Sequence, residues 1–114
     1  MPHFIRLRGA WNLERQTAPA GEHVNVRLTR DFGCSSGLKT ASRVWLSILN
    51  AASEASAELN GRSLGRICTS QSRFDVTSLL RPRNTLTIEF SAAELSLDGL
   101  NADAWADVRL EIEE

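Results

Sequence analysis

The side chains that could do chemistry are few and scattered. Asp75, Glu89 and Asp107 carry carboxyl groups, but none sits in a paired-acid arrangement. Glycoside hydrolysis needs two carboxyl groups held across one bond. Asp75 is better placed to cap a turn, and Glu89 and Asp107 fall on solvated strand faces. His3 lies near the start of the chain and His23 opens a strand, with no Ser–His or Cys–His partner in sight. Cys34 and Cys68 are the only cysteines, too few for a structural zinc site. They could form one disulfide if the fold juxtaposes them, but with no export signal in view they are expected to be free and mostly buried thiols. Asp98, Asn101 and Asp103 offer the hard oxygen ligands that calcium prefers, but their spacing is not that of an EF-hand and suits a turn better. Nothing in the sequence asks for a cofactor, and no enzymatic activity is expected.

The elements that must hold these residues are strands. Phe4–Arg8 reads as a first strand, with Trp11 and Leu13 continuing the alternation. Val24, Val26 and Leu28 share one face of a segment from His23 to Asp31. Val44, Leu46 and Ile48 share a face of the next, which leaves Trp45 on the other side. Asn60-Gly61 is a hairpin turn signal, because both residues tolerate positive φ. Gly65 interrupts the return strand and predicts a bulge or a close backbone approach. Phe74 and Val76 alternate with Asp75 and Thr77, after which Thr77-Ser78-Leu79-Leu80 breaks the strand period. Asp75 or Thr77 is placed to cap a helical turn there and send Leu79 or Leu80 back to the core, and Pro82 stops that turn. Leu86, Ile88 and Phe90 then face inward and Thr85, Thr87 and Glu89 outward. In the closing segment Ala106, Val108, Leu110 and Ile112 share a face, so Trp105 is predicted to point away from the core.

These runs, with short turns between them and no long amphipathic helix, predict an all-β antiparallel sandwich formed by residues 1–114 as one domain. An immunoglobulin-like sandwich is the alternative, although its cysteine–tryptophan–cysteine spacing is not evident. The formal net charge is −1, so no electrostatic drive toward nucleic acid or an anionic membrane exists. No apolar run reaches the ~20 residues of a membrane span. Met1-Pro2-His3-Phe4 lacks the basic and apolar regions of a signal peptide, which favours the cytoplasm.

Leu59-Asn60-Gly61, Leu64-Gly65, Phe74-Asp75-Val76-Thr77, Leu80, Asn84 and Leu86 form an ordered set. It resembles the N-terminal, galactose-binding-like jelly-roll domain of glycoside hydrolase family two. Gly9-Ala10-Trp11, Arg30-Asp31-Phe32, Val44–Ile48 and Trp105–Leu110 extend the resemblance to nearly the whole chain. It implies a jelly-roll strand order and a non-catalytic, carbohydrate-binding-like module, since the family's catalytic acids lie in a separate barrel. In the resembled domains, the loops before Phe-Asp-Val-Thr and before the closing strand approach the sugar pocket. That implies Gln71, Arg73 and Trp105 as carbohydrate-binding residues. The sequence departs from the family in its short 68–72 loop without aromatics, in Ala106, where the family commonly has arginine, and in having no tyrosine. The competing reading is a structural or protein-interaction sandwich that binds no sugar, with Trp45 as its anchor.

Overall fold

The computed structural model describes residues 3–9, 11–17, 23–33, 43–93 and 105–113. Nine strands form two antiparallel sheets among these residues: β1 (His3–Arg6), β2 (Asn12–Thr17), β3 (His23–Gly33), β4 (Arg43–Leu49), β5 (Ala55–Leu59), β6 (Arg62–Ile67), β7 (Gln71–Asp75), β8 (Arg83–Ala93) and β9 (Asp107–Glu113). One sheet has the order β1-β9-β4-β7 and the other β2-β3-β8-β5-β6. The fold is an all-β sandwich. Apart from the β2–β3 and β5–β6 pairs, successive strands lie in opposite sheets, so the chain winds back and forth around one core.

Alternation in the sequence decides which side chains meet in that core. Val26 and Leu28 of β3, Val44, Leu46 and Ile48 of β4, Leu86, Ile88 and Phe90 of β8, and Val108, Leu110 and Ile112 of β9 are all buried. The predicted first strand is β1; the alternation that resumes at Leu13 belongs to β2 in the other sheet, and the chain crosses between them. Trp11 sits at that crossing, half-buried against the core, and its indole N–H donates to Leu7 O at 2.9 Å. The segment after Phe90 continues as strand to Ala93.

The hairpin turn forms where Asn60-Gly61 predicts it, with φ of 54° and 82°. The register slips between Ala57 and Glu58, and Gly65 takes the strained place with φ 129°. A Cβ at Gly65 would stand 3.4 Å from the Phe74 side chain, an ordinary contact, so of the two alternatives for this glycine the bulge is the one that forms.

After β7 the chain makes one 3-10 turn, Thr77–Leu79. Asp75 holds it without being its formal N-cap: the carboxylate accepts the Thr77 N–H at 3.0 Å and the Thr77 hydroxyl at 2.7 Å. Thr77 Oγ1 in turn accepts the Val44 N–H at 2.8 Å, and Val76 N–H donates to Val44 O at 3.0 Å. This latch pins the turn to the start of β4. Leu79 and Leu80 pack against the core as expected.

Candidate functional site

The two sheets present different outer faces. Register places Glu14, Arg27, Glu89, Ser56 and Arg66 in one row across all five strands of the β2-β3-β8-β5-β6 sheet. Arg27 Nε donates to Glu89 Oε1 at 2.9 Å, and Arg66 lies 3.5 Å from Glu54. The neighbouring row, Asn12, Thr29, Thr87, Glu58 and Ser63, is also polar. At one end of the first row, Ser53, Glu54, Ala55, Ser56, Arg66, Glu89 and Phe90 line an open depression of about 670 Å³. Two carboxylates, a guanidinium and two hydroxyls therefore line one open concavity.

The outer face of the β1-β9-β4-β7 sheet is laced by arginines and carries aromatics. The Arg73 guanidinium lies 4.1 Å from the centre of the Trp45 ring, and Arg43 lies 5.7 Å away. Arg73 Nε also donates to Glu111 at 2.9 Å, and its Nη2 reaches Glu113 at 3.5 Å. The Trp45 indole N–H donates to Glu113 at 3.2 Å. Arg109 donates from Nε to Asp107 at 3.0 Å and stands 5.8 Å from the centre of the Phe4 ring. Hydrogen bonding from Arg109 lowers the Asp107 pKa, and Asp107 raises that of Arg109 in return. Between Arg73 and Arg109 in register lies Ser47, fully buried, whose hydroxyl has no hydrogen-bond partner.

The structure divides the predicted site residues. Gln71 and Arg73 are both exposed and share the outer face of β7. Trp105 is not with them. It is 1 % exposed, its ring stacks on Phe90 at 4.9 Å with a 13° interplanar angle, and its indole N–H donates to Ser53 Oγ at 3.3 Å. The expectation that it faces away from the core is wrong for a specific reason. β9 begins at Asp107, so strand parity does not extend back to Trp105, and both Trp105 and Ala106 turn inward. The aromatic beside Arg73 is Trp45 instead.

Cys68 is exposed with a free thiol, contrary to the expected burial, because it lies beyond the buried end of β6 at Ile67. Cys34, Asp98, Asn101 and Asp103 lie outside the described residues. Among the described residues no group of three or more His, Cys, Asp or Glu side chains could hold a metal ion. No helix among them is long and apolar enough to cross a membrane. The depression at Glu54 and Glu89 was not visible in the sequence, because cross-strand register brings its walls together from residues far apart in the chain.

No family model matches the sequence, and no curated protein matches it. Solved structures do. The FMN-binding β-glucuronidase of Faecalibacterium prausnitzii L2-6 aligns over 98 % of this chain with a TM-score of 0.71 and 24 % identity. The β-glucuronidase of Bifidobacterium dentium, solved with coumarin-3-O-glucuronide, aligns over 98 % with a TM-score of 0.72 and 17 % identity. β-glucuronidase 2 of Bacteroides uniformis gives a TM-score of 0.74 at 14 % identity, again over 98 %. This chain spans only 22 %, 30 % and 18 % of those three chains. At such identities the likeness is one of fold: this sandwich has the fold of one segment of these much longer glycoside hydrolases.

Proposed function

We propose that residues 1–114 form one galactose-binding-like jelly-roll domain that binds carbohydrate without cleaving it. The interleaved strand order supports the jelly-roll reading. The likeness to segments of β-glucuronidases supports the link to carbohydrate, as does the ordered motif set around Asn60, Asp75 and Asn84.

The observation that carries the reading is the depression lined by Ser53, Glu54, Ser56, Arg66 and Glu89. A sugar ring presents adjacent hydroxyls, each both donor and acceptor. Carboxylates accept from them, a guanidinium donates to them in a planar fork, and serine hydroxyls do either. Glu89 pairs with Arg27 and Glu54 with Arg66 on this exposed face, which keeps donors and acceptors side by side. The site proposed from Gln71 and Arg73 has a weaker geometry. Its platform would have to be Trp45, and the Arg73 guanidinium already lies over that ring.

The test is a glycan array probed with wild type, Glu89→Gln and Arg73→Ala. Retention of a glycan by wild type and Arg73→Ala, with loss in Glu89→Gln, supports the reading. Loss in Arg73→Ala alone would move the site to the Gln71–Arg73–Trp45 face. No retention of any glycan by wild type would leave the structural or protein-interaction reading in its place.

A further inference from the structure

The outer face of the β1-β9-β4-β7 sheet has a charge pattern that complements itself. Two adjacent rows cross all four strands. One is Arg6, Arg109, Ser47 and Arg73, and the other is Phe4, Glu111, Trp45 and Asp75, each in strand order β1, β9, β4, β7. The first is cationic around a serine. The second is acidic and aromatic.

We propose that this face docks a second copy of the chain, about a two-fold axis that lies in the interface and runs across the strands between these two rows. Such an axis keeps each strand position and exchanges the rows. Arg109 of one copy then meets Glu111 of the other, Arg73 meets Asp75, Arg6 meets Phe4, and Ser47 meets Trp45. Symmetry makes every contact twice. The first two are opposite charges, the third is a cation over an aromatic ring, and the fourth brings an indole N–H to a hydroxyl. Face-to-face sheets pack with their strands near −30°, so the register is best at the centre, where β9 and β4 lie. Arg109, Glu111, Ser47 and Trp45 are on those two strands. The like-charged meeting of Glu113 with Asp107 falls one row further out, where twist separates the strands.

Two observations support a covered face. The Ser47 hydroxyl is fully buried and unpartnered in the single chain. Buried polar groups are almost always hydrogen-bonded, and the second copy supplies this one a partner once Arg73 and Arg109 leave their own pairs with Glu111 and Asp107 for the acids of that copy. The apolar outward side chains Phe4, which is 54 % exposed, and Trp45 also lie on this face, whereas the two described rows of the other sheet carry none. Four strands ~4.8 Å apart and five residues at ~3.4 Å each give a patch of roughly 19 by 17 Å, well below a standard interface, so the dimer is weak and reversible.

Sedimentation velocity over a concentration series tests this with wild type, Arg109→Glu, Glu111→Arg and Trp45→Ser, each checked for folding by circular dichroism. Wild type should pass from monomer to dimer as concentration rises, and revert in high salt. Arg109→Glu alone places an acid against Glu111 of its copy, and Glu111→Arg alone places a cation against Arg109, so each should be monomeric. An equimolar mixture of the two restores both pairs and should dimerise again. Trp45→Ser should weaken the dimer at least tenfold and keeps the test open if either charge variant fails to fold. A wild type that stays monomeric at every concentration would overturn the proposal. So would a dimer unchanged by Trp45→Ser, or a mixture of folded charge variants that stays monomeric.

Discussion

Asn60 Nδ2 donates to Asn84 Oδ1 at 3.0 Å, joining the tip of the β5–β6 hairpin to the start of β8. Each amide is used on both sides. Asn60 also donates to Leu79 O at 3.0 Å and accepts the Thr85 N–H at 2.9 Å. Asn84 accepts the Arg81 N–H and donates to Arg81 O, both at 2.8 Å. Two asparagines thus satisfy backbone groups that no sheet ladder reaches in the turn around Pro82. The asparagine that makes the hairpin turn sterically easy also closes the far loop.

Asn84 is 1 % exposed, so removing its amide leaves partly buried backbone groups of Arg81 without their partner. Asn84→Ala should cost about 1–3 kcal/mol for the Arg81 N–H left without an acceptor. Asn84→Asp keeps an acceptor for that N–H but loses the donor to Arg81 O, and should fall between. Denaturant melts rank the three proteins. Equal stability of Asn84→Ala and wild type would show the junction to be incidental.

The two tryptophans that the sequence places on outward faces should separate in a stability measurement. Trp105→Ala empties a fully buried site stacked on Phe90 and should cost about 3–5 kcal/mol, lowering the melting temperature by about 10–20 °C. Trp45→Ala, at dilute protein, loses a half-buried ring and its arginine contacts and should cost less than half as much. Tryptophan fluorescence should keep a blue-shifted component in Trp45→Ala and lose it in Trp105→Ala.

Acid should loosen the latch between β7 and β4. The Asp75 pKa is lowered from 3.8, first by the Thr77 hydroxyl, then by the Thr77 N–H, with the charge of Arg43 adding to both. Asp107 is lowered too, chiefly by Arg109. An acid with a depressed folded pKa stabilises the fold where it is ionised. That contribution is complete above the ordinary carboxylate value and is lost as pH falls through the lowered one. The melting temperature should therefore hold level above about pH 5 and drop below about pH 4. Asp75→Asn should start lower at neutral pH and show a shallower acid drop. An identical acid slope in Asp75→Asn would remove Asp75 from this role.

Much of the fold was legible because alternation survives wherever a strand has one buried face. Leu86, Ile88 and Phe90 against Thr85, Thr87 and Glu89 is the clearest case, and Asn60-Gly61 and Gly65 fixed the hairpin and its bulge. The misreadings occur where parity stops. The alternation of β9 does not extend back to Trp105, because the strand starts two residues later. The alternation that continues from Leu7 to Leu13 does not show that the chain changes sheets between them. Gln71 and Arg73 do share a face, as their spacing demands. The row Glu89–Ser56–Arg66 depends on how three strands are registered, and that is set by the hairpin slip at Ala57 together with the pairing of β5 and β8.

Backbone amide chemical shifts, followed by heteronuclear NMR during titration with the glycan retained on the array, test the central claim most directly. The account predicts shifts gathered at residues 53–56, 66 and 89–90, with those at 45, 71 and 73 unmoved at constant protein concentration. Shifts gathered instead at Trp45, Gln71 and Arg73, or no shift at saturating glycan, would contradict it.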